Sequence, residues 1–220
     1  MFTEFPQAPT WNTQFFDFNT DEDLVAFAVT AISSGTAAVI DTNTTGRNGV
    51  CLFANGDTTD DKGAQIQVDA ETFQLATGKT LQFLARFYVS AAATMPGLVG
   101  FAITDTSLIA SAPSDGIYFQ KAKGSSSLQF VVRAGSAAIA SVPVATMEDN
   151  TFVTVAYEIY EVTAGGAAKA RAWLNNTLLF SSELASVPTS EALALSAAFQ
   201  SGTTASQTAG LDLIGGRQTR

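Results

Sequence analysis

The stretch from Leu81 to Val89, LQFLARFYV, restricts this chain more than any other. Leu81, Phe83, Ala85, Phe87 and Val89 take the odd positions, while Gln82, Arg86 and Tyr88 fall among the even ones. Side chains alternate faces along a strand, so the odd row makes one apolar face. A helix would scatter the same residues around its circumference. Val99, Phe101 and Ile103 repeat the alternation after Met95, Pro96 and Gly97, which carry turn chemistry. Residues 79–106 are therefore expected to form a hairpin of two long strands. The even face, with Gln82, Leu84, Arg86 and Tyr88, is too mixed for plain solvent surface and must be covered by loops or face a partner.

The same signal recurs along the chain. Val153, Val155, Tyr157 and Ile159 alternate with Thr154, Ala156, Glu158 and Tyr160. Short segments at 36–40, 49–53, 64–73, 117–120, 128–133, 139–144, 169–174, 177–180, 191–199 and 210–214 read as further strands. Lys123-Gly124-Ser125, Gly165-Gly166 and Asn175-Asn176 supply the turns between several of them. Pro143, near the end of its segment, suits an edge strand. Residues 24–32 fit a strand or a short helix, and 147–150 a polar turn. About twelve or more strands, spaced about 8–12 residues apart, predict an antiparallel sandwich or barrel. No linker divides the chain. The expected organisation is an extended arm over 1–12 and one β domain over 13–220.

Charge and residue usage remove several functions. Of the 220 residues, 14% are charged, against about 25% in an average soluble domain. Such a surface suits close protein–protein packing, though an ordinary Ser/Thr-rich β protein would share it. The net charge of −9 and the dispersed Lys and Arg residues argue against nucleic-acid and anionic-membrane partners. There is no histidine, which excludes Ser-His-Asp and Cys-His catalysis and histidine-ligated metals. Cys51 is the only cysteine and reads as a buried apolar residue. The N-terminal residues show no signal-peptide pattern, and no stretch approaches a membrane-spanning length. A reducing cytoplasm is the expected site of folding.

Five groups of residues are candidates for a site. Asp69 and Glu71 continue the alternation of Gln65 and Gln67, and two carboxylates on one strand face are what a retaining glycosidase requires. Gln67, however, stands where a third carboxylate would be expected, and a solvated face is the preferred reading. Asp57, Asp60 and Asp61 bring loop carboxylates together, as calcium would need, but without a specific spacing. Asp21, Glu22 and Asp23 are a weaker acidic run. Trp173 lies opposite in phase to Ala170, Ala172 and Leu174, and an aromatic on an open sheet face can stack a sugar or fill a subunit contact. In the arm, Phe2, Phe5, Pro6 and Trp11 are candidate contacts to a neighbouring subunit or a capsid. No catalytic residue, cofactor or metal is assigned.

The runs GAQIQVDAETFQLATGKTLQFLARFYVS, GLVGFAITDT, DGIYFQ, DNTFVTVAYEIY, RAWLNN and GLDLIGGRQ, with Phe15, Phe16, Asp17 and Phe18, cover nearly the whole chain. In them the sequence resembles the head decoration, or cement, proteins of tailed bacteriophages. It departs where that family has Asn-Gly in place of Asn175-Asn176, and in the sparser strand Leu211-Asp212-Leu213-Ile214. The resemblance implies a concanavalin A-like, laminin G-like jelly roll: an all-β, two-sheet antiparallel sandwich. It implies a non-enzymatic virion protein, assembled in the host cytoplasm, that binds the major capsid protein on the outer surface of the mature head. It also implies self-association as a trimer or dimer. The alternative is a lectin-like module on the virion that binds host glycans.

Overall fold

The computed structural model describes residues 11–18, 22–33, 35–40, 49–54 and 60–219. Its main sheet joins β13 (Thr177–Leu184), β12 (Ala168–Leu174), β11 (Val153–Tyr160), β6 (Leu81–Val89), β15 (Thr208–Thr219), β4 (Val50–Ala54) and β3 (Thr36–Ile40), in that order. β1 (Trp11–Phe16) pairs with the C-terminal part of β15. The facing sheet runs β10 (Ala137–Thr146), β9 (Ser127–Ala134), β8 (Gly116–Lys121), β7 (Gly97–Ala102), β14 (Ala194–Gln200), β5 (Gly63–Val68), β2 (Phe27–Ile32). Every neighbouring pair is antiparallel. The first group is sheet A and the second sheet B. The expected β sandwich is present as a single domain.

The alternation works as expected in β6 and β11. Leu81, Phe83, Ala85, Phe87 and Val89 are buried, as are Val153, Val155, Tyr157 and Ile159 facing the same core. Fully burying an aliphatic or Phe side chain stabilises the fold by about 1.5–3 kcal/mol, so these rows dominate its energetics. Phe101 packs against Phe73 at 4.5 Å and Phe83 at 5.9 Å between ring centroids. Its ring also presses on β15. A Cβ built on Gly216 would lie 2.1 Å from Phe101 Cζ, so only glycine fits there.

The hairpin expected over 79–106 is absent. β6 belongs to sheet A and β7 to sheet B, so 90–96 arches from one sheet to the other. Both strands carry inward apolar rows, and those rows meet across the core instead of side by side. Residues 24–32 divide between the two expectations: α1 (Glu22–Val25) is a four-residue helix and β2 follows it. Asn175 and Asn176 turn β12 into β13 with φ of 46° and 70°, the positive values that Asn tolerates. Pro143 lies in β10, an edge of sheet B. Of the expected arm, residues 1–10, with Phe2, Phe5 and Pro6, lie outside the described residues; Trp11 and Asn12 already belong to β1.

Gln65 and Gln67 do not form a solvated face. They are 1% and 3% exposed, because residues 103–108 fold back over the outer side of sheet B. Gln67 Nε2 donates to the Ile103 carbonyl at 3.1 Å and its Oε1 accepts from Asp105 N–H at 3.0 Å. Gln65 accepts from Leu108 N–H at 3.0 Å and donates to the Asp105 carbonyl. Each amide thus plays the part of a neighbouring peptide group. Beneath the same loop, Leu108 completes a second small core with Leu98, Ala102, Tyr118, Val131 and Ala198.

Candidate functional site

The acidic candidates separate. β5 ends at Val68, so Asp69 and Glu71 lie beyond the strand and the expected alternation stops before them. Glu71 Oε1 accepts from Thr104 N–H at 2.6 Å and helps hold the covering loop. Asp69 lines a pocket of about 390 Å³ at the margin of that loop, with Thr30, Gln67, Thr104, Asp105 and Thr106. The amide of Gln67 is already engaged there, and Asp105 Oδ1 accepts from Ser107 N–H at 3.1 Å. No nucleophile and acid pair is assembled among these groups.

Asp60 and Asp61 share the ammonium of Lys123, at 2.7 and 2.9 Å. The hydrogen bond from Lys123 holds the Asp60 carboxyl below its usual range, and the two carboxylates raise the Lys123 ammonium. A side chain of the protein thus stands where the calcium reading would put the ion. Asp57 and Asp21 lie outside the described residues. Among the described residues no three His, Cys, Asp or Glu side chains cluster as a metal site would require. Cys51 is buried in β4, and burial pushes its thiol up to about 12.

Trp173 has the orientation its phase predicts, on the outer face of sheet A and half-buried. The pairing registers place it in a row that crosses six strands: Phe15, Gly215, Leu84, Ala156, Trp173 and Leu178. Directly paired residues share a face, so this row is an apolar stripe at right angles to the strands. Phe15 and Leu178 stand 41% and 49% exposed near its ends, while Leu84 is buried among its neighbours.

Two residues further along the first five strands, and three along β13 where its register shifts, a second row reads Thr13, Arg217, Gln82, Glu158, Arg171 and Ser181. Here the side chains lock together. Arg217 Nε donates to Gln82 Oε1, and Gln82 Nε2 donates to Glu158 Oε1 at 2.6 Å. Glu158 Oε2 lies 3.9 Å from Arg171 Nη1. The guanidinium of Arg217 stacks on Trp11 at 4.3 Å, and that of Arg171 on Tyr160 at 4.8 Å. On the other side of the apolar stripe Arg86 bonds Asp212 at 2.6 Å and lies over Phe152 at 4.4 Å. The sequence shows which of these residues point outward. It does not show that they meet, because that depends on registers between strands far apart in the chain.

No family model matches the sequence, nor does any curated protein sequence. Solved structures do match the fold. The fold is a concanavalin A-like jelly roll. An endo-1,3-beta-glucanase from Streptomyces sioyaensis superposes with a TM-score of 0.65 at 11% identity, covering 99% of each chain. The carbohydrate recognition domain of Emp47p gives 0.65 at 11% identity over 96% of this chain and 97% of that one. Peanut lectin gives 0.62 at 10% identity over 95% and 97%. Identities this low carry the architecture alone.

Proposed function

We propose that this chain is a non-catalytic binding module that decorates a tailed-phage head, seated on the outer surface of the mature major-capsid lattice. The observation that supports this reading is the outer face of sheet A. It is broad, braced by cross-strand hydrogen bonds, and balances Arg86, Arg171 and Arg217 against Glu158 and Asp212 in part, on a chain whose net charge is −9. A rigid face loses little entropy when it docks. A ligand selective for the mature lattice stabilises that state by linkage, and many copies add up even when each contributes only about 1–2 kcal/mol. The test mixes purified protein with undecorated heads and measures attachment by sedimentation. Stoichiometric, saturable attachment is expected; no attachment at micromolar concentration rejects the reading.

A second reading, glycan recognition, is favoured by one observation of its own. Trp173 stands half-buried beside Glu158 and Arg171, an aromatic next to groups that hydrogen-bond hydroxyls. Lectin domains among the similar structures agree with it at the level of fold. Binding to a glycan in the absence of any capsid distinguishes it from decoration.

A further inference from the structure

We infer that residues 106–112 form a hinged cover over the outer face of sheet B, which lifts as a unit and bares an apolar patch around Tyr118. This sheet lies opposite the proposed docking face, so the cover is independent of what that face binds.

Residues 103–115 connect β7 to β8 with no helix or strand of their own. Connections longer than about 12 residues of this kind are uncommon in compact domains. The base of the loop is closed by Ile103 N–H, which donates to the Asp115 carbonyl at 3.1 Å. Both ends are firmly held. On one side Thr104 N–H bonds Glu71, and the Ile103 and Asp105 peptide groups bond Gln65 and Gln67. On the other, the Pro113 carbonyl accepts from Arg133 Nε at 2.7 Å and the Ser114 carbonyl from Ser136 N–H at 2.8 Å. Between these anchors, one hydrogen bond ties 106–112 to the sheet among the described residues, from Leu108 N–H to Gln65. The bonds of Ser107 and Ser111 stay within the loop itself. Fixed ends and a weakly attached middle make hinges of the two junctions.

What holds the middle down is Leu108, fully buried with Leu98, Ala102, Tyr118, Val131 and Ala198. Tyr118 belongs to the outer side of sheet B, paired with Gly100 and Val131. Its hydroxyl is buried and has no hydrogen-bond partner among the described residues. Burial pushes the phenol up to about 12, although Arg133 pulls the other way. Tyr157, the other fully buried tyrosine among the described residues, does have a partner, the Ile117 carbonyl. An unbonded hydroxyl opposes burial to about the extent that a buried leucine favours it. Closing the cover therefore gains at Leu108 and loses at Tyr118, which leaves the two arrangements close in free energy. Lifting returns the hydroxyl to water and bares Leu98, Val131 and Ala198 beside it, a surface the closed molecule does not show.

The test uses Tyr118→Phe in the full chain, which removes the hydroxyl and keeps the ring. Amide hydrogen exchange is followed residue by residue by NMR in parent and variant. The Leu108 amide reports the cover, and the Tyr157 amide, on a central strand, reports the whole fold. In the parent, Leu108 is expected to be less protected than Tyr157. In Tyr118→Phe, exchange at Leu108 is expected to slow about tenfold, because the open arrangement loses its advantage. Equal protection at the two amides in the parent would mean that the loop opens only when the molecule unfolds, and overturns the cover. Slowing at Tyr157 alone would mean that the hydroxyl stays buried when the loop moves, which overturns it as well. No slowing at either amide would show a hydroxyl already bonded in solution, and also overturns the proposal.

Discussion

Tyr157 donates its hydroxyl hydrogen to the carbonyl oxygen of Ile117 at 2.6 Å, and this bond crosses the sandwich from sheet A to sheet B. The ring is fully buried, with Phe83, Phe119 and Phe130 around it. Burial also drives its phenol well above the usual range, so it remains a donor across the physiological pH range. Tyr157→Phe keeps the ring and removes the bond. It should cost about 1–2 kcal/mol in urea unfolding, with the β-sheet circular dichroism unchanged. An unaltered midpoint would show that the bond adds nothing to stability.

The loop over sheet B depends on two amides. Gln67→Leu removes the partners of the Ile103 carbonyl and the Asp105 N–H together, and also the bond to Ser196 Oγ at 2.9 Å. Faster hydrogen exchange confined to about 103–108 is expected, with a loss of about 1–3 kcal/mol. Uniform protection in the variant would mean that Leu108 and its apolar neighbours hold the loop without help.

Lys121 makes stability depend on alkaline pH. Its side chain is buried at the inner end of β8 and donates to the Met95 carbonyl, with Asp149 nearby. Burial, partly opposed by Asp149, lowers its ammonium to about 8 from 10.5. Between those values the unfolded chain holds a proton that the folded chain has released, so stability from this group rises with pH. Below about 8 both states are protonated and the contribution is flat. The stability of the parent relative to Lys121→Met should therefore climb by at most about 3 kcal/mol from pH 8 to 10.5. A difference independent of pH would refute the shift.

Gly216 faces the ring of Phe101, so Gly216→Ala must displace that ring or the strand. A loss of about 1–3 kcal/mol is expected in thermal unfolding. Pairing the change with Phe101→Leu should recover part of it, because the two effects share one contact. Strict additivity would locate the damage elsewhere.

Cys51 offers a probe of global opening. Its thiol is buried and pushed up to about 12, so Ellman's reagent should react only as fast as the molecule unfolds. Rapid modification of the native protein would mean that β4 opens locally.

Some of this was legible in the residues and some was not. In β6 and β11 local alternation identified which side chains face the core, because an apolar row tolerates only one orientation. The same signal could not say that β6 and β7 lie in different sheets, since 90–96 can close a hairpin or an arch without any change in local pattern. Gln65 and Gln67 misled for a related reason. A polar residue in the outward phase normally meets water, and here it meets the backbone of a loop about 40 residues further on. Trp173 had the phase the sequence gives it. Its neighbours Leu84, Ala156 and Glu158 became visible only through the register.

The loop clamped by Gln65 and Gln67 also gives the molecule a handedness of approach. One broad surface is closed by the chain itself, whereas the opposite one carries side chains ranked in rows across its strands. Copies settled on any ordered array by that ranked side would all turn the clamped loop outward. Antibodies or proteases offered to the assembled particle would then meet residues 103–108 first, and the rows around Trp173 only after the copies are released.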